Sequence, residues 1–343
     1  MIHKSRWWLA SVILALGFVS LRVLGLDEAG AGAGRGLLLV VNKGDRTLGI
    51  FDSESGQLLA AVPEEGETGH EVAASTDGKR AFVPIYGNAG VGHAGTDGRI
   101  IRVIDLEKKT VVGTIDFHKG VRPHCAVFGP KNGLLYVTTE LDNAIAVIDP
   151  VTLKIRRSIP TGQAESHMLA ITRDGQRGYT SNVGSGTVSV LDLEEGRVLA
   201  VIPVSSVAQR IALSVDDRWA FTADQSKARL AVIDTAANKV ARWIELPGKA
   251  YGTAPTPDGR SLVIALIGLN KVGLVDLQSM KLARTIEVPR APQEILIRPD
   301  GAKAYVSCDA SHQVAVVDLK EWRLEKLLPA GAGADGLAWA PRL

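Results

Sequence analysis

Past its first apolar stretch, the chain becomes a series of runs of four to six residues, rich in Val, Ile and Tyr and cut by Gly, Asp and Asn. Runs of that length and make-up are strands, and no stretch of helical period separates them. One unit shows the pattern clearly: His167–Thr172, Gly178–Asn182, Thr187–Leu191 and Val198–Ile202. Between these lie turn residues, first Arg173-Asp174-Gly175, then Val183 to Gly186, then Asp192 to Gly196. Asp-Gly favours a tight hairpin because both of its positions tolerate positive φ. It recurs at Asp77-Gly78, Asp258-Gly259 and Asp300-Gly301, with Asn132-Gly133 as its relative. Each unit therefore predicts a four-stranded antiparallel meander.

The unit repeats. Its third strand closes on an aspartate at Asp52, Asp105, Asp149, Asp192, Asp234, Asp276 and Asp318, with spacings of 53, 44, 43, 42, 42 and 42. Seven meanders at one period predict an all-β, seven-bladed β-propeller of four-stranded antiparallel blades. The C-terminal stretch Asp335–Pro341 matches only a first strand, and Leu37–Val62 only strands two to four. Joined, they complete one blade and seal the ring, which leaves no open sheet edge between blades. The anchor aspartates are expected to cap turns through their carboxylates, not to bind calcium or act catalytically. Trp219, Trp243, Trp322 and Trp339 fall within strand patterns and read as packing residues.

Tyr136-Val137-Thr138-Thr139, Tyr179-Thr180-Ser181-Asn182 and Tyr305-Val306-Ser307-Cys308, with Asp-Gly turns and V-x-V-I-D-like strands, carry a resemblance. From about residue 37 to 341 the chain resembles the YVTN β-propeller repeat family, which includes exported, surface-layer-type propellers. The resemblance implies the fold and export. It implies no shared catalytic set, because binding proteins, dehydrogenase subunits and lactonase-like enzymes all occur among such relatives. Phe82-Val83-Pro84-Ile85 and Val263-Ile264-Ala265-Leu266 depart from the pattern.

The leader agrees with export. Lys4 and Arg6 precede Trp7–Leu21, 15 residues without a charge. That is short of the roughly 20 a membrane span needs and suits a secretory signal, with an uncleaved anchor as the alternative. Residues 1–26 are thus expected to be a signal peptide or N-terminal anchor, 27–36 a Gly/Ala linker and 37–343 the propeller. A periplasmic or extracellular location follows, with membrane contact only through the N-terminal segment.

Composition narrows the partners. With 39 basic and 37 acidic residues the net charge is +2, so no basic excess points to nucleic acid. Lys119, Arg122, Arg210, Lys227 and Lys249 are interleaved with Glu64, Glu65, Glu67, Glu140 and Asp224, a poor phosphate track. The two cysteines, Cys125 and Cys308, sit in different repeats and form no disulfide framework. The chain reads as a monomer.

Strand order places the loops between strands two and three, and those between blades, on one face around the channel mouth. At equivalent positions opening strand one stand His70, His124, His167, Gln209, Tyr251, Gln293 and Asp335, with Glu71, Arg210 and Glu294 directly after three of them. His93, His118 and His312 map to the same face, as does Cys308. The expected binding site at the channel mouth comprises His70, Glu71, His93, His124, His167, Gln209, Arg210, Tyr251, Gln293 and Asp335. Imidazoles from three consecutive blades suit zinc or copper. Against a metal stands the absence of any tight H-x-x-x-H spacing, and histidines opening strand one also serve packing.

The second unit carries an excursion, Gly87–Gly98, with five glycines in twelve residues. It reads as a lid beside the mouth or as a tolerated surface insertion. Its G-x-G-x-x-G lies before a strand, so it is not a dinucleotide fingerprint. The sequence holds no G-x-S-x-G or P-loop. The expectation is a non-catalytic exported propeller, without cofactor, that binds a small ligand or a periplasmic protein across this face. The alternatives are a copper- or zinc-binding redox partner using His70, His124 and His167, and a lactonase-like enzyme acting through Glu71 or Arg210.

Overall fold

Val/Ile/Tyr runs that must be buried on both faces require sheets stacked side by side, and the computed structural model, which describes residues 34–342, arranges them so. Seven four-stranded antiparallel sheets form the blades, each in simple meander order. The innermost strands, in blade order, are Ala334–Pro341, Ala73–Ala74, Pro123–Phe128, Ser166–Ile171, Ala208–Leu213, Ala250–Pro255 and Pro292–Ile297. Second and third strands such as Leu135–Thr139 and Ala144–Ile148 are buried at every position, because neighbouring blades cover both faces. Outer strands such as Arg197–Pro203 alternate between exposed and half-buried residues. The repeated tyrosines Tyr136, Tyr179 and Tyr305 are fully buried between blades.

Closure is as the two partial repeats predict. Ala334–Pro341 pairs antiparallel with Gly36–Asn42, matching Leu37 to Ala340 and Leu39 to Ala338. The expected leader lies outside the described residues, as does the linker except for residues 34–36, and Gly36 already belongs to a strand. Among the described residues no helix is long and apolar enough to cross a membrane.

The anchor aspartates cap turns. Asp234 accepts the N–H groups of Ala236 and Ala237, both at 2.9 Å. Asp105, Asp149, Asp192 and Asp318 make the same pair of bonds. Trp322 departs from expectation: it sits in the turn before the last outer strand, at φ 51°, and packs its ring into the core.

The second blade differs as well. Its innermost strand shrinks to Ala73–Ala74, so His70 precedes a strand instead of opening one. Pro84 explains this. Arg80 accepts from Ser75 N–H and Tyr86 donates to Thr68, so the even-numbered residues of the second strand turn their backbone groups inward. Pro84 falls in that set without an N–H, and the ladder breaks there.

Candidate functional site

In six blades the innermost strand carries a β-bulge near its start, two inner residues standing opposite one residue of the second strand. A bulge re-aims side chains. Here it lets consecutive residues, Gln209-Arg210 and Gln293-Glu294 among them, both approach the channel, where strict alternation would send one away. Hydroxyls of the second strand take up the freed backbone groups. Thr138 accepts from Cys125 N–H at 3.0 Å and donates to His167 C=O of the next blade at 2.8 Å. Ser307 likewise accepts from Glu294 N–H at 3.0 Å.

Two clusters result. The first is aromatic. The His124 and His167 rings lie tilted at 31° with centroids 3.8 Å apart, and His70 meets His124 edge-on at 5.5 Å. Tyr86 stacks on His70 at 4.6 Å. Glu140, buried between them, accepts the Tyr86 hydroxyl at 2.7 Å and sits 3.2 Å from His167 Nδ1. Arg122 lies 3.5 Å from the same carboxylate. Burial holds His70 down to about 4, and holds His124 far below the ordinary imidazole range, aided by its histidine neighbours. Both stay neutral at physiological pH. His124 Nδ1 is buried without a partner.

The second cluster is ionic. Arg210 crosses the channel from the fifth blade to reach Glu71 at 2.6 Å, Asp335 at 3.4 Å and Glu294. Its guanidinium stands 4.8 Å from the Tyr251 ring centroid. Lys43 adds Asp335 at 3.0 Å and Asp309 at 3.3 Å. Burial drives Glu71 up to about 8 against the pull of Arg210, and Glu294 moves the same way. Asp335 is pushed up by burial too, but Lys43 and Arg210 bring it below the usual carboxylate range. Arg210 and Glu71 are therefore bound to one another in the channel, with Arg210 Nε left unpartnered.

Gln209 and Gln293 join the second cluster. Gln209 donates to the Tyr251 hydroxyl at 2.9 Å, and Gln293 to Asp309 at 3.2 Å. His93, His118 and His312 are exposed and stay apart from the clustered rings. Cys308 is fully buried in the seventh blade, its thiol pushed up to about 12 by burial. Among the described residues no group of three or more His, Cys, Asp or Glu stands in position to hold a metal ion. Sequence reading missed Tyr86 as a site residue and placed Glu140 and Arg122 only in a charge tally. Their signal was position, Tyr86 two residues beyond Pro84 and Arg122 two before His124.

The sequence from residue 124 to 316 matches the model of the family described as Domain of unknown function (DUF5074). The chain belongs to the DUF5074 family. The match includes His124, His167 and Arg210, while His70, Glu71 and Asp335 lie outside it. This DUF5074 propeller superposes on a chain of hydrazine synthase from Kuenenia stuttgartiensis with TM-score 0.71 at 21% identity, covering 88% of this chain and 99% of that one. The dihydro-heme d1 dehydrogenase NirN, in complex with DHE, gives 0.65 at 16%, covering 88% and 74%. A functionally unknown protein from Desulfotomaculum acetoxidans gives 0.73 at 13%, covering 89% and 99%. At such identities the likeness is one of fold. No curated protein matches the sequence.

Proposed function

We propose that this protein is an exported, non-catalytic propeller that binds a small ligand or a partner protein at the histidine-lined mouth of its channel. The convergence of His70, Tyr86, His124 and His167 carries the reading. Four rings from three successive blades pack into one buried cluster of imidazole and phenol, and within it His124 Nδ1 lacks a partner. Convergent polar groups on an aromatic floor are what a ligand site needs. Glu71 and Arg210, the groups a lactonase-like enzyme would use, are bound to each other, which favours binding over catalysis. The leader and the resemblance to exported YVTN-repeat propellers support a periplasmic or surface location. NirN, which shares the fold over 74% of its chain, is in complex with DHE.

A second reading is coordination of copper or zinc by His70, His124 and His167. One observation favours it: a Glu140 carboxylate oxygen lies 3.2 Å from His167 Nδ1, the arrangement by which a carboxylate orients a metal-ligating imidazole. It requires the His124 ring to move away from His167.

Native mass spectrometry and elemental analysis of the protein recovered from its own compartment test both readings. The comparison is a variant with His70, His124 and His167 changed to Gln, its folding checked by circular dichroism. An organic adduct or co-purifying protein lost in the variant supports the first reading. Stoichiometric metal lost in the variant supports the second. Neither in the parent overturns both.

A further inference from the structure

The Gly87–Gly98 excursion is exposed over most of its length, but it leans across neighbouring blades instead of standing free. Its neck is closed by two glycines that no other residue could replace without movement. Gly87 sits at φ 107°, and a Cβ there would lie 2.0 Å from Thr96 O. A Cβ on Gly98 would lie 1.8 Å from Ile85 O. Beyond the neck, Ala89 is buried at 3% exposure. The tip reaches sideways over two further blades. Arg122 donates to His93 C=O at 2.8 Å and to Asp97 at 2.6 Å. A Cβ at Gly92 would come within 3.3 Å of Glu165 Oε1. Arg122 lies two residues before His124, and Glu165 two before His167. Both histidines are 2% exposed.

We propose that residues 88–96 are a hinged lid over His124 and His167, latched by Arg122, which holds His93 C=O on the lid and Asp97 at its base, and that its opening admits the ligand. This rests on the binding role proposed above and names how access to that site is controlled. Gly87 and Gly98 supply the hinge, because glycine alone absorbs such backbone changes freely. Arg122 is a positioning residue that joins the lid to the rings. Its guanidinium contacts His93 C=O on the lid, Asp97 at the lid's base and Glu140, and Glu140 in turn contacts Tyr86 and His167. Asp97 is the weak end of this set: its side chain is 38% exposed, and without its charge the buried Arg122 keeps Glu140 as counter-charge.

The test is the rate at which diethyl pyrocarbonate modifies each histidine, read by peptide mass spectrometry in the full chain. The reagent attacks neutral imidazole, so slow reaction at His124 reports steric cover. In the parent, His93, His118 and His312 are expected to react quickly and His124 and His167 slowly. Asp97→Asn is expected to speed His124 and His167 at least tenfold relative to His312. Cys308, fully buried in a distant blade, should remain unreactive toward thiol reagents, which separates lid opening from unfolding. A second variant, with residues 88–96 replaced by Asn-Gly, should give the same acceleration. Unchanged His124 and His167 rates in both variants would overturn the lid. So would acceleration that always accompanies Cys308 labelling. No ligand enters this measurement, so its failure leaves the binding role standing, and absence of a ligand leaves the lid standing.

Discussion

Arg210 and Glu71, 139 residues apart in the chain, meet across the channel at 2.6 Å. The fifth blade thereby ties itself to the second, and through Asp335 to the strand that closes the ring. Three carboxylates converge on one guanidinium, so the channel is held by charge as well as by strand pairing.

Removing that guanidinium leaves Asp335 with Lys43 alone as counter-charge and takes the donor from Glu71 and Glu294. Breaking a buried ion pair from one side costs about 3–5 kcal/mol. Arg210→Met is therefore expected to lower the thermal midpoint clearly. Adding Glu71→Gln and Glu294→Gln should recover part of the loss, because amides need no counter-charge. A triple variant no more stable than the single one would contradict this account of the cluster.

Glu71 also sets a pH dependence. Burial raises it to about 8 in the folded chain, against 4.5 when exposed, and raises Glu64 to about 7. A raised carboxyl favours folding below its unfolded value, and that advantage is lost as pH rises through the folded value. His70 and His124, held low, act oppositely: their contribution is complete above about 6.5 and lost as pH falls. Above that pH the slope belongs to the glutamates. Thermal midpoints should fall between pH 6.5 and 9 in the parent, and Glu71→Gln should flatten the fall. Parallel curves would count against it.

The turn caps are testable one blade at a time. Asp234→Ala removes the acceptor for two backbone N–H groups, at a cost of about 1–2 kcal/mol. Chemical denaturation should show a lower midpoint, and Asp234→Asn should restore most of it. Equal loss in both variants would point to charge instead of turn geometry.

Both thiols are buried, and burial pushes Cys125 and Cys308 up to about 12. Neither should react with a thiol reagent until the protein unfolds. Rapid labelling of the native chain at either position would show that the blade around it opens locally.

The fold was legible because a propeller states its period seven times over, and because two partial repeats at the chain ends announce closure. Pro84 shows the limit of a period. Its missing N–H, not any change in apolar pattern, cuts the second blade's inner strand to two residues. The bulges were hidden for a related reason, since alternation presumes one residue opposite one. Gln209-Arg210 and Gln293-Glu294, two polar residues in succession, were their trace. Alignment of repeats did place His70, His124 and His167 on adjoining blades. It could not show that Arg210 spans the channel, because a period says what recurs and not what one side chain meets on the far side of a ring.

The central claim is that the histidine face, not the Asp-Gly face, meets the ligand or partner. Lysine acetylation in the native compartment, compared with the purified protein, tests it directly. Lys119, Lys227 and Lys249 are exposed on the histidine face, and Lys79, Lys131, Lys239 and Lys281 on the other. The expected result is protection in the compartment at the first three, with unchanged labelling at the other four. Protection confined to the Asp-Gly face, or none on either, would contradict the claim.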